Sequence, residues 1–425
     1  MLRGLLDRLG APFEKGGPLH RLWPLWDAQD TFLYTPGKTT AGPSHGRDRL
    51  DMKRLMFTVV IALAGTVAMA FYNTGLQANL AISHGATPLP GWRTAVIEAL
   101  GIGFSPDSVL AAVIHGGLWY LPVLIVTFAV GGAWEMLFAI IRRHEVSEGF
   151  LVTGMLFPLI LPPTVPLWQV ALGISFGVVV GKEIFGGSGF NILNPALTAR
   201  AFLFFAYPSD LTGDRIWIAA DTAPDAVSGA TWLARFSLTG NEAFAETFHP
   251  AGGPGITAWD AFIGFLPGSM GETSVLACLF GAVVLAATGI GSLRIMLAVA
   301  AGTLLMGGLL NLVGSDTNPF FAVPFWWHYL MGGWAFGTVF MATEPVTAPS
   351  TDGGRVVYGF LIGVLVVLIR VVNPAYPEGM MLSILLMNVF APLIDHFALR
   401  SNVRRRARAA SLQTGIVGAA NEARS

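Results

Sequence analysis

The chain has 425 residues, 53% of them hydrophobic and 12% charged, with a formal net charge of −1. A charged share about half that of a soluble domain, set in long uncharged apolar runs, marks a polytopic membrane protein, and the absent basic excess gives no field for nucleic acid. The single cysteine, Cys278, excludes an intrachain disulfide and an iron–sulfur cluster held by this chain alone.

Residues 1–54 form a mixed polar arm without the apolar core of a cleavable signal peptide. Its Trp23, Trp26, Phe32 and Tyr34 point to packing rather than to a solvated tail. Apolar segments are predicted at 55–74, 118–141, 150–161, 167–181 and 195–207, and again at 273–290, 295–313, 328–342, 356–372 and 380–397. A polar stretch, 208–271, separates the two sets, and a basic tail, 398–425, follows the last. Lys53, Arg54, Arg142, Arg143, Lys182, Arg294, Arg355 and the tail arginines all fall on one side if both termini are cytoplasmic. The 208–271 loop then lies in the periplasm, and the chain is a multi-pass protein of a bacterial inner membrane.

Two sets of five spans have opposite topologies, and the sequence carries an internal echo of that. The short third segment leads into Pro162, Pro163 and Pro166, then one helix, then Asn194-Pro195-Ala196. The eighth leads into Glu344-Pro345 and Pro349, then one helix, then Asn373-Pro374-Ala375. Prolines at matching short segments mark inverted repeats with a site between them; ordinary proline-kinked helices are the alternative. The expected fold is all-α, with about ten transmembrane helices in two inverted five-helix repeats: 55–207 and 272–397.

Several local patterns carry chemistry. Gly131-Gly132 precede Glu135 within the second segment; the glycines serve close helix packing or a ligand, and an intramembrane carboxylate is functional by default. Gly186-Gly187-Ser188-Gly189 leads into Asn191 and Asn194 on the cytoplasmic side. Glycines admit close approach and the amides offer paired donors and acceptors, while Asn194 also suits the cap of a helix opening at Pro195. Thr153 is a further candidate there. In the external loop, Asp225-Ala226-Val227-Ser228-Gly229-Ala230-Thr231 offers a hydroxyl flanked by small residues, or simply a polar turn. Glu272 reads as an acid at the start of a helix. Phe336 and Phe340 share one helix face ahead of Glu344 at a helix break, a pattern for aromatic packing or for a hydrophobic constriction with a cation at its mouth.

The Ser228-Gly229-Ala230-Thr231 motif, the amino-terminal Pro12-Phe13-Glu14-Lys15-Gly16-Gly17 and Asp30-Thr31-Phe32-Leu33-Tyr34-Thr35-Pro36-Gly37, and Asp51-Met52-Lys53-Arg54 resemble one family throughout nearly the whole chain. It comprises the B subunit of sodium-translocating NADH:quinone oxidoreductases and the D subunit of Rnf complexes; the amino-terminal arm favours the former. The resemblance implies FMN joined by a phosphoester to Thr231, attached by a flavin transferase with Asp225 and Ser228 orienting the reactants. It implies noncovalent riboflavin near Asn191, Asn194 and Thr153, ubiquinone at Gly131 and Gly132, and a Na⁺ path through Glu135, Phe336, Phe340 and Glu344. No resident metal is expected. The implied partners are the rest of a six-subunit complex, above all its FMN-bearing C subunit. With no dinucleotide fingerprint in this chain, NADH is expected to react on a partner. Electrons are expected to run from the C subunit's FMN through Thr231-bound FMN and riboflavin to ubiquinone. The rivals are an Rnf-type subunit serving ferredoxin and NAD, a flavin-carrying scaffold with no transport path, and a channel, since the inverted five-helix repeat resembles urea transporters.

Overall fold

The computed structural model describes residues 8–13, 16–24, 26–27, 30, 52–143, 146, 149–212, 217–221, 231–240, 256–373 and 378–422. Among them, six helices are long and apolar enough to cross a membrane: Arg54–Ser83, Val109–Arg142, Leu167–Phe185, Leu293–Val313, Asp352–Val372 and Met380–Ala407. Three shorter apolar helices, Gly149–Leu159, Pro195–Ala206 and Val275–Thr288, accompany them. The protein is a mostly helical integral membrane protein.

In chain order, α1 (Met52–Ala62) and α2 (Ala64–Ser83) form the first rod, α3 (Trp92–Ala99) lies in the next loop, and α4 spans Val109–Arg142. After them come α5 (Gly149–Leu159), α6 (Leu167–Val179) and α7 (Pro195–Ala206). The 208–271 stretch contributes α8 (Trp232–Thr239) and α9 (Ala258–Ile263). The second half holds α10 (Val275–Thr288), α11 (Leu293–Val313), α12 (Trp327–Leu330), α13 (Trp334–Phe336), α14 (Asp352–Val372) and α15 (Met380–Glu422).

The structure differs from the sequence expectation at four elements. The second span starts at Val109 rather than near 118, because Ser108 caps it by accepting from Ala111 N–H. The eighth is not one helix: α12 ends at Leu330, Gly332 takes a φ of 61°, and α13 continues as a π-helical turn over Gly337–Met341. The first span continues to Ser83 rather than ending near 74, and α15 carries on through the basic tail to Glu422.

Long helix pairs approach through glycine. A Cβ on Gly75 would overlap the Ala112 carbonyl across α2 and α4, and one on Gly363 would overlap the Val299 carbonyl across α11 and α14. With lipid outside, such close van der Waals packing holds the helices together. In the first half α4 packs on α6 and α6 on α7; in the second, α11 packs on α14 and α14 on α15. The two halves meet where α10 lies against α1 and α2.

The 208–271 stretch is docked onto the bundle through its described residues. Its short strand β2 (Ala220–Asp221) pairs antiparallel with β1 (Thr87–Pro88) of the α2–α4 connection, so both loops occupy one end of the bundle. Helix α8 buries Trp232, Leu233 and Phe236, and Phe236 stacks on Phe320 of the second half with ring centroids 6.4 Å apart. In the amino-terminal arm, Phe13 stacks on Trp26 at 5.4 Å; Phe32 and Tyr34 lie outside the described residues.

Candidate functional site

Among the cavities, two with several polar residues in their lining lie at opposite ends of the helices. The larger of these two, about 320 Å³, is lined by Thr153 of α5, Lys182, Ser188, Gly189 and Asn191 of the α6–α7 loop, Asn194 and Pro195 at the start of α7, Phe340 near the end of the eighth segment and Glu344 just beyond it. Leu55, Met56, Val59, Leu156 and Leu285 supply apolar wall. An apolar pocket of this size with a few convergent polar groups is the usual form of a small-molecule site. The first helical residues of α5 and α7 face it, so two helix amino termini direct partial positive charge inward.

Residues expected at separate sites converge in this cavity. Asn191 Nδ2 donates to Leu193 O at 3.1 Å and lies 3.5 Å from Glu344 Oε1. Glu344 Oε2 accepts from Thr347 Oγ1 at 2.9 Å. Asn194 caps α7, its Oδ1 accepting from Leu197 N–H at 3.1 Å, with Pro195 in the first turn. Both roles considered for Asn194 are therefore compatible: a cap held by the backbone and an amide lining the cavity.

Glu135 sits behind this wall in a buried ion network. Lys182 Nζ donates to Glu135 Oε1 at 2.5 Å and lies 4.0 Å from Glu183 Oε1, while Arg142 holds Glu183 at 3.0 Å. Lys182 and Glu135 are each 3% exposed, so each ion depends on its protein partners for solvation. Glu135 is buried and ion-paired across 47 positions of sequence. Gly131 packs where a Cβ would strike Phe150 and Ile174, and the nearest such atom at Gly132 is 3.8 Å away. The first glycine thus serves close packing, and the second leaves ordinary space beside it.

Between the two ends runs the broken eighth segment. Phe336 and Phe340 are buried with ring centroids 5.1 Å apart, and the Phe340 ring fills the space above Gly281 of α10. The Thr338 hydroxyl between them is buried and makes no hydrogen bond among the described residues. A π turn is a common mark of a functional position in a helix.

The smaller cavity, about 50 Å³, is lined by Thr231, Arg200, Glu272, Gly332 and Glu378 among others. Thr231 is the cap of α8: extended at φ −68°, its Oγ1 accepts from Ala234 N–H at 3.3 Å. The side chain is half-buried at a helix amino terminus, a place that favours an anion on that oxygen. Arg200 donates to Glu272 at 3.0 Å, both buried. Glu378 Oε1 accepts from Gly333 N–H at 2.6 Å. Glu272 is not the helix-start acid that its position before the sixth segment predicts: Ser274 caps α10, and Glu272 turns aside to Arg200. Asp225, Ser228, Gly229 and Ala230 lie outside the described residues.

The arrangement coincides with a sequence pattern that spans most of the chain. The model of the NQR2, RnfD, RnfE family matches residues 39–404. The chain belongs to that family. It is 52% identical over 405 residues to the B subunit of the Na(+)-translocating NADH-quinone reductase of Chromohalobacter salexigens, covering 95% of this chain and 96% of that one. It is 53% identical to the subunit of the same name from Ectopseudomonas mendocina, and 50% identical to that of Azotobacter vinelandii, covering 98% of each. The family match takes in every residue of both cavities and the segment between them.

Sequence reasoning passed over three site residues of this family member. Arg200 and Arg370 are buried arginines inside apolar helices, a rare placement and therefore a legible signal. Arg370 donates to the carbonyls of His328 at 2.7 Å, Met331 at 3.0 Å and Glu378 at 2.9 Å, clamping the break between α12 and α13. Lys182 carries only a topological meaning in the sequence, because nothing local to it names Glu135.

Proposed function

We propose that the chain is the membrane subunit of a Na⁺-translocating NADH:quinone oxidoreductase, carrying FMN on Thr231 and riboflavin in the larger cavity. The observation that carries this reading is the pairing of a capped, half-buried Thr231 at one end with an amide-lined cavity of about 320 Å³ at the other. The relatives' printed name and the alignment across nearly the whole of both chains favour the quinone-linked complex over the Rnf type.

The residues suit the groups. Thr231 Oγ1 sits where a helix amino terminus would stabilise a phosphoester, and it borders a cavity of about 50 Å³. In the larger cavity, Asn191, Asn194 and Thr153 would hold a flavin by its polar edges, and the leucines and Met56 would exclude water from it. Bound flavins supply the one-electron chemistry; this chain orients them at opposite ends. Electrons taken from the FMN-bearing C subunit then cross the membrane to ubiquinone, for which Gly132 and its surroundings offer a place. Na⁺ follows Glu344, Phe340 and Phe336 outward, with Glu135 as a further carboxylate on the path. The arm at 1–54, the repeats at 55–207 and 272–397, the loop at 208–271 and the tail at 398–425 form the domain plan. Matching helix pairings in the halves support the inverted repeat, and the β1–β2 ribbon supports a shared periplasmic face for both loops.

The test is intact mass spectrometry of the denatured chain, expressed with its flavin transferase, followed by peptide mapping. Added FMN mass on the Thr231 peptide is expected, kept in Thr231→Ser and absent in Thr231→Ala. An unmodified wild-type peptide refutes the anchor.

A further inference from the structure

We infer that Lys182 is a positioning residue shared between the larger cavity and Glu135, and that it couples charge on the cavity's ligand to cation binding at that carboxylate. This rests on reading the cavity as a flavin site. Lys182 lines the cavity, whereas Glu135 stands behind it. Its ammonium touches Glu135 at 2.5 Å, and Arg142 already holds the neighbouring Glu183 at 3.0 Å. A lysine ammonium is a compact charge on a flexible stem, able to change partners without repacking.

One electron passed from the reduced upstream carrier to the cavity's ligand oxidises the carrier by one, reduces the ligand by one and adds one negative charge beside Lys182. No bond is made or broken. The ammonium turns toward the new charge, and the Glu135 carboxylate takes one Na⁺ from the aqueous phase in its place. Linkage makes this reciprocal: Na⁺ at Glu135 raises the ligand's electron affinity by the same factor by which reduction raises Na⁺ affinity.

The experiment measures the midpoint potential of the noncovalent flavin in the purified complex, with and without Na⁺, alongside flavin content. Wild type is expected to shift upward with Na⁺. Lys182→Met is expected to lose that response and to bind the reduced ligand about tenfold less favourably, about 59 mV lower for a one-electron couple. Glu135→Gln is expected to lose the response and shift upward. A merely structural pair would move both variants in the same direction, and an unchanged Na⁺ response in Lys182→Met with flavin retained overturns the inference. Should the single lysine variant not assemble, the doubly neutral Glu135→Gln/Lys182→Met carries the test, and a surviving Na⁺ response there is equally fatal. Riboflavin content unchanged by Asn191→Leu together with Asn194→Leu overturns the cavity reading itself, and this inference with it.

Discussion

Burial pushes the Glu344 carboxyl up to about 7, while hydrogen bonds from Thr347, Asn191 and Asn194 and the charge of Lys182 pull it back. The side chain is half-buried, touching the cavity's open space with protein packed densely around the rest. A protonated carboxyl does not hold a cation, so the proposed Na⁺ binding at Glu344 is expected to strengthen as pH rises through about 7. Below that pH the Na⁺ concentration for half-maximal quinone reduction is expected to rise roughly tenfold per pH unit, and Glu344→Gln is expected to flatten this dependence. For folding the sign is opposite. A carboxyl raised from 4.5 contributes stability below that pH and loses it as pH rises through about 7. The residue types at this site were legible in the sequence, because amides, a threonine and a carboxylate among glycines and prolines stand out. The ion pairs were not: Lys182 and Glu135 are 47 positions apart, and Arg200 and Glu272 are 72 apart.

Among the elements, the eighth segment departs furthest from a regular helix, and Arg370 is what holds it so. Its guanidinium, fully buried in α14, satisfies carbonyls that the break at 331–333 leaves without helical partners. Arg370→Met is expected to cost about 3 kcal/mol, since buried acceptors are left unpaired, and to lower the unfolding temperature of the purified complex in detergent. An unchanged unfolding temperature would show that the break holds itself. Hydropathy marked this segment as a helix because its residues are mostly apolar and none is a carboxylate, lysine or arginine. The break depends on Gly332, which stands in a local Gly-Gly pair, and on a guanidinium from another helix, which no local pattern records.

For the whole molecule, the two loops joined by β1 and β2 and the cavity beside Thr231 share one end of the bundle, and the larger cavity with Asp352 shares the other. The buried Cys278 is the chain's one cysteine, so its replacement by alanine yields a clean background for labelling. In that background Asp221→Cys is expected to react with a membrane-impermeant maleimide added outside intact cells, and Asp352→Cys only in inverted vesicles. Labelling of both from one side would end the proposed topology.

The amino-acid sequence alone determined the membrane class, the apolar segments and the residues worth watching, because hydropathy and motif spacing are local properties of the chain. Only the tertiary structure decided that Thr153, Asn191, Asn194, Phe340 and Glu344 line one cavity, that Glu135 is neutralised by Lys182, and that Thr231 shares its pocket with Arg200, Glu272 and Glu378. Those facts arise from which helix ends the glycine-mediated packing brings together, and from the need of each buried charge to find a counter-charge wherever the fold supplies one.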